Sequence, residues 1–241
     1  MDERKEQFRK HFEKYDITEP AIIRKYYHSI RVMDLAILIA KYASFNACDT
    51  EVAAIAGLLH DYGRFEQWTK YKTYKDKDSI DHGDLAVERL FKDNEIVDYK
   101  LDFNDYDEVY DAIKYHNKYS IPDSLSKHNE LLCKVIRDAD KLDIFYLRTY
   151  NNLLIDNQEI SNNVREQFFN EQCINKVDVK NYSDGIILII AMVYDLNFKY
   201  SFEYLEKTSL IWKIFSQIED QERFREYFEY IDKYIKERVK C

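Results

Sequence analysis

At 241 residues, with 46% hydrophobic and 34% charged side chains, the chain is long enough for one large domain, or one domain with a helical extension, and too rich in apolar residues to be disordered. Four glycines and two prolines are too few for a turn-rich all-β fold, so long helices with short connections are expected. The net charge of −9 and the lack of any Lys/Arg-rich run exclude a general nucleic-acid binder, but not a phosphorylated small molecule, because bound metal ions invert a local acidic field.

Residues 2–15 pattern as a short amphipathic helix. Thr18-Glu19-Pro20 starts a second helix that runs to about Ser44, with Val32, Leu35, Ile39 and Tyr42 at helical spacing. Asp49 or Thr50 caps the next, which runs to about Tyr62, where Gly63 ends it in a left-handed conformation. Residues 64–77 are polar, aromatic and irregular, suiting a short helix or loop. Asp78 or Ser79 opens a helix to about Lys92; 93–104 read as a loop; Asp105 begins a helix to about Asn117. After the turn at Pro122, Ser124 or Ser126 opens a helix through Asp140 and on toward Leu154. Residues 162–238 read as four or five further helices. No strand, repeat or low-complexity linker stands out, so the fold is all-α. The boundary, near Asp156–Asn163, divides a core of residues 1–155 from a C-terminal helical extension, 156–241, packed on it.

Cys48, Cys133, Cys173 and Cys241 are widely spaced, with no C-x-x-C pair, and read as free thiols of a reducing cytoplasm. The charged start, Met1 to Lys5, lacks a signal core. The longest apolar run, 185–194, is far too short to span a membrane and reads as a buried helix. A cytoplasmic protein without membrane contact, with homo-oligomerisation left open, is expected.

Of six histidines, His28, His60, His82 and His116 each fall near the apolar stripe of a predicted helix; His11 and His128 lie in charged stretches and read as solvated. One such histidine is usually a satisfied core residue. Four on four helices, with the adjacent pair His60-Asp61, suggest a metal centre. Ala53, Ala56 and Gly57 precede that pair and permit a tight helix crossing. Imidazole nitrogen with carboxylate oxygen suits Mn, Fe, Co, Ni or Zn. A further carboxylate lies in 138–143. Asp140 shares its face with Cys133, Ile136, Ile144 and Leu147, and a carboxylate buried there needs a partner; Asp138 shares one with Lys134 and Lys141 and reads as surface.

The ordered set His28 … His60-Asp61 … Asp140 resembles the HD superfamily of metal-dependent phosphohydrolases over roughly residues 20–150. His60-Asp61-Tyr62-Gly63-Arg64 looks like its His-Asp-x-Gly-Lys/Arg element, His28-Ser29-Ile30-Arg31-Val32 like its first-histidine helix, and 138–143 like its closing aspartate segment. His82-Gly83 and His116-Asn117 resemble the third and fourth histidine segments of members that hold two metals. The resemblance implies an HD-type helical bundle. It implies that His28, His60, Asp61 and Asp140 bind a first divalent ion and that His82 and His116 hold a second, with Asp61 bridging; the alternative is that His82 and His116 support or bind phosphate around a single metal, and Mg is admissible beside the metals above. It also implies hydrolysis of a phosphate ester or anhydride by metal-activated water, the substrate being a small phosphorylated compound such as a nucleotide. Arg64 and Arg31, with Lys118 or Lys141, are the candidate phosphate clamps. Tyr62, Phe65 and Trp68 read as core or lid packing ahead of base stacking. The Gly-Tyr-Pro element of the cyclic-dinucleotide phosphodiesterases is absent after His116, which discounts that substrate. Competing functions are a diiron oxygenase of the same superfamily and a non-catalytic helical sensor retaining a structural metal.

Overall fold

A computed structural model describes residues 2–150, 153 and 156–240, and no strand occurs among them. Two compact units form, Met1–Asp140 and Lys141–Cys241. The division falls inside a helix, ahead of the segment near Asp156–Asn163 where the sequence suggested a boundary. Leu154, toward which that helix was expected to run, and Cys241 lie outside the described residues.

In the first unit α1 (Asp2–Phe12) carries the stripe Phe8, His11 and Phe12, which Tyr15 joins from the turn after it. His11 is therefore buried, not solvated: its ring stacks on Tyr62 at 3.6 Å and meets Phe65 edge-on. Its charged neighbours in sequence lie on the other face of the helix. Helix α2 (Pro20–Tyr42) starts as expected, with Pro20 in its first turn and Glu19 accepting from the Ala21 N–H. Helix α3 (Ala47–Leu59) is capped by Asn46, three residues earlier than expected, its side chain accepting from the Asp49 N–H. The two helices cross where Gly57 sits: a Cβ there would stand 3.1 Å from Met33 Cα and 3.2 Å from Ala36 Cβ. The small residues before His60 thus make the tight crossing anticipated from them, and they set the end of α3 against the middle of α2.

Gly63 does not end α3 in a left-handed turn. Its φ is −71°, open to any residue, and it begins α4 (Arg64–Tyr71). Its requirement is space, since a Cβ would lie 2.7 Å from the His82 carbonyl oxygen. Helix α5 (His82–Val87) begins later than expected because Asp81, accepting from the Asp84 N–H, is its cap; it continues through a π-helical turn, Glu88–Lys92. Helices α6 (Tyr106–Tyr115) and α7 (Lys127–Arg148) follow, α7 reaching Asp140 at the edge of this unit.

The second unit contains the last turns of α7, then α8 (Asn162–Phe169), α9 (Tyr182–Ile190), α10 (Lys199–Thr208), α11 (Leu210–Phe215) and α12 (Gln221–Lys240). The apolar run near 185 is α9, with Ile186, Ile187 and Ile190 buried. Phe168, Phe224, Phe228 and Ile231 fill this unit's own core. Among the described residues no helix is long and apolar enough to cross a membrane, and Cys48, Cys133 and Cys173 are free thiols.

Candidate metal centre

Five helices of the first unit deliver six donor residues to one place. His28 stands midway along α2, His60 caps α3 with Asp61 in the turn after it, His82 opens α5, His116 caps α6, and Asp140 comes from α7. His28 Nε2 lies 3.1 Å from Asp140 Oδ1, 3.3 Å from Asp61 Oδ2 and 3.2 Å from His60 Nε2. His60 Nε2 lies 3.5 Å from Asp61 Oδ2 and 3.7 Å from Asp140 Oδ1. The other Asp61 oxygen, Oδ1, is 3.4 Å from His82 Nε2 and 3.9 Å from His116 Nε2, and those two nitrogens are 2.9 Å apart. Two groups of donors therefore share the Asp61 carboxylate, one on each oxygen.

The imidazole orientations test whether a cation fits. His60 Nδ1 is 2.7 Å from the Gly57 carbonyl oxygen, His116 Nδ1 is 2.6 Å from that of Ile113, and His82 Nδ1 is 2.8 Å from Asp76 Oδ2. Carbonyls and carboxylates only accept, so each Nδ1 carries the proton and each Nε2 presents a lone pair. Burial holds the His82 imidazole below its usual pKa and that of His116 far below, so both are neutral. Two lone pairs facing each other at 2.9 Å repel. A cation between them removes the repulsion, and imidazole with carboxylate is a donor set suited to divalent transition metals. The clusters His28–His60–Asp140 and His60–Asp61–His116 are accordingly able to hold a metal ion.

The carboxylates are prepared in the same sense. Burial alone would push the Asp61 carboxyl up, but Lys25, His60, His28 and Arg64 outweigh it and hold it well below the usual range. Burial is likewise overridden at Asp140 by His28 and His60. Both are therefore anions, as ligands must be.

The surrounding groups orient this set, and most were missed from sequence. Asp76, in the segment after α4, accepts from His82 Nδ1; despite burial, His82, Arg64 and Gln67 keep its carboxyl well below the usual range. The fully buried Gln67 donates to Asp76, Ser79 and the Ile80 carbonyl, fixing that segment. Arg137 Nη1 donates to the carbonyls of Tyr115, at 3.1 Å, and Lys118, at 2.6 Å, on either side of His116. Lys25 Nζ lies 2.6 Å from Asp61 Oδ2. Only Lys25 had a usable sequence signal, standing three residues before His28 and so on its face of the helix.

Of the expected clamps, Arg64 is at the centre: its Nε is 3.3 Å from Asp61 Oδ1, and Nη1 donates to Gln67, Asp76 and the Tyr74 carbonyl. Arg31 is half-buried on α2, three residues beyond His28. Lys141 is not grouped with the donors; it is buried and its ammonium lies 2.6 Å from Asp195 in the second unit. Lys118 is held by Asp81 and Asp84. Asp138, expected on a solvated face, is fully buried: from Val135 to Ala139 the helix is enclosed all round, so lysines one turn away do not mark solvent there. His128 keeps solvent contact and lies 3.3 Å from Glu108 and 3.6 Å from Asp49. Tyr62 and Phe65 are core residues, the former donating to Glu95, and Trp68 packs on Tyr74, consistent with packing ahead of base stacking.

A family model described as HD domain matches residues 26–144, a stretch that contains all six donors. Neither a curated protein nor a solved structure matches the chain. The converging histidines and aspartates are thus those of an HD domain, and through residues 26–144 the chain belongs to the HD-domain superfamily.

Proposed function

We propose that this protein is a metal-dependent phosphohydrolase, holding two divalent ions and cleaving a phosphate ester or anhydride of a small molecule, with nucleotides the leading class. The observation that carries the reading is the division of the Asp61 carboxylate: Oδ2 faces His28 and His60, while Oδ1 faces His82 and His116. His28, His60, Asp140 and Asp61 Oδ2 would hold one ion; His82, His116 and Asp61 Oδ1 would hold the other.

When bound, such ions supply Lewis-acid chemistry, lowering the pKa of water and neutralising phosphate oxygens. The chain's own part is positional. Gly57, Ile113 and Asp76 fix the tautomers of His60, His116 and His82, so each keeps a lone pair toward the centre. The buried imidazoles exclude bulk water from one side. Arg64, rigidly held by Gln67, Asp76 and the Tyr74 carbonyl, steadies a phosphate oxygen by a charge-assisted hydrogen bond, with Arg31 as the second motif cation. Lys141 is left out, because Asp195 takes its charge.

The test is metal content by mass spectrometry on protein purified without added metal, alongside hydrolysis of a chromogenic phosphate ester and a nucleotide panel with Mn, Ni, Co and Mg. Close to two ions per chain, with phosphate release that Asp61→Ala abolishes, is the expected result. Iron with oxygen-dependent turnover and no hydrolysis would assign the diiron oxygenase chemistry instead, and a protein without metal would refute the reading.

A further inference from the structure

Both oxygens of Asp61 carry a cation as well as histidines. Lys25 Nζ lies 2.6 Å from Oδ2, and Arg64 Nε lies 3.3 Å from Oδ1. The Tyr74 ring stands beside both, 5.5 Å from Lys25 Nζ and 5.4 Å from Arg64 Cζ, and its hydroxyl donates to the Ala21 carbonyl, which pins it to α2. Solvent reaches the centre from this side only in part. The side chains of His28, His60, His82 and His116 are 4% exposed or less, whereas Lys25 keeps 18%, Arg64 13%, Asp140 19% and Asp76 27%. The two cations are therefore more open to a ligand from solvent than the histidines are.

A structural counter-ion role explains Lys25 less well. A partner for Asp61 could be any donor, and Arg64 already serves. Lysine is a compact, strongly hydrated charge on a flexible stem, which makes it a poor permanent core partner and a good mobile anion ligand. The lone pair it occupies on Oδ2 is also one that a divalent ion held with His28 and His60 would claim. Lys25 would then be released from Oδ2 and available to an anion.

The charge at the site selects what it meets. Asp61 is paired with Lys25 and Arg64, Asp76 with Arg64, and Asp140 lies against His28, so among these three carboxylates and two cations one negative charge is in excess. One divalent ion turns that into one positive charge, and two ions turn it into three. A phosphodiester brings a single negative charge and a terminal phosphate brings about two. On the reading of the protein as a metal-dependent phosphohydrolase, we propose that Lys25 and Arg64, walled by Tyr74, form an anion subsite for the terminal phosphate dianion of a monoester or diphosphate, in preference to a diester.

The experiment is calorimetric titration of inorganic phosphate and of dimethyl phosphate into the Mn-loaded full chain, for the wild type, Lys25→Met and Lys25→Arg, with metal content and folding measured on each. The expected result is at least tenfold tighter binding of phosphate than of dimethyl phosphate by the wild type. Lys25→Met should keep its metal and lose at least tenfold in phosphate affinity; Lys25→Arg should lose less. Phosphate affinity in Lys25→Met that falls by less than tenfold at full metal content overturns the subsite and leaves the phosphohydrolase reading standing. Loss of metal from a folded Lys25→Met also overturns it, making Lys25 a support of the centre. Should Lys25→Met not fold, Lys25→Arg decides: a folded arginine variant that has lost phosphate preference over the diester overturns the proposal, and one that keeps it supports it. Wild-type protein that takes up no metal defeats the underlying reading itself.

Discussion

Replacing Asp76 by asparagine exchanges one oxygen for an NH2 group and isolates the control of His82. Every neighbour of that carboxylate is a donor. Oδ1 receives Arg64 Nη1 at 3.1 Å and Gln67 Nε2 at 2.9 Å; Oδ2 receives His82 Nδ1 at 2.8 Å and Asn117 Nδ2 at 3.4 Å. Whichever way the amide is turned, its NH2 meets a donor, and a largely enclosed polar group left so costs about 1–3 kcal/mol of stability. Because His82 Nδ1 reaches both carboxylate oxygens, at 2.9 and 2.8 Å, the amide oxygen that remains still accepts its proton, but as a neutral acceptor it holds the imidazole, and so the lone pair facing His116, less firmly. Losing an outer partner of this kind lowers metal affinity about 10–100-fold, or about 1.4–2.7 kcal/mol. Titration of Mn into the metal-free wild type and Asp76→Asn by calorimetry reads the affinities, and urea denaturation in chelator reads the stability. One binding step should weaken while the step assigned to His28, His60 and Asp140 stays as it was. Two unchanged steps would refute the claim that the Asp76 carboxylate orients His82 for metal binding.

Three other perturbations follow from the same geometry. Gly63→Ala should destabilise by about 1–3 kcal/mol through overpacking alone, because φ there suits alanine but the added carbon would lie 2.7 Å from the His82 carbonyl; an unchanged urea midpoint would show that the helices separate freely. Arg137→Met leaves the Tyr115 and Lys118 carbonyls without their charged donor and should cost about 1.5–3 kcal/mol, a loss that thermal unfolding of metal-free protein would register and that a wild-type Tm would contradict. Burial, followed by the nearby Lys14, pushes the His11 imidazole down to about 3, against the opposing pull of the Tyr62 backbone and the Glu66 charge. The unfolded chain protonates this histidine at its ordinary pKa near 6.5, so between that value and about 3 it binds more protons than the folded one, and stability falls as pH drops, by about 1.4 kcal/mol per unit. Denaturation midpoints of His11→Phe should decline less from pH 6.5 to pH 5 than those of the wild type, and parallel curves would mean that His11 contributes nothing to acid sensitivity.

How much of this was legible in the sequence depends on what each residue had to be. The metal donors stood out because imidazoles and carboxylates on apolar helix faces have few other reasons to be there, and helical spacing is enough to see the anomaly at His28, His116 and Asp140. Helix existence was equally legible, since the caps and the apolar stripes act within one or two turns. What failed were inferences that treat charge as a marker of solvent. His11 sits among Arg9, Lys10 and Glu13, yet its ring lies on the Phe8–Phe12–Tyr15 side of α1 and is buried against Tyr62. Asp138 and Lys141 were placed on a wet face by local pattern, and both are buried. Asp76 was one of several acids in an irregular segment, and nothing local separates it from Asp78, which stays exposed. His11 meets Tyr62, and Lys141 meets Asp195, both far off in sequence, whereas Asp76 is singled out by His82, Arg64 and Gln67, which the turns between them bring to it. Lys25 is the instructive exception. Its position one turn before His28 made its approach to the centre readable from spacing alone, once the same face was asked for cations as well as ligands. An acidic metal site that must also receive an anion needs positive groups beside its donors, so the helix that supplies a histidine is the first place to look for them.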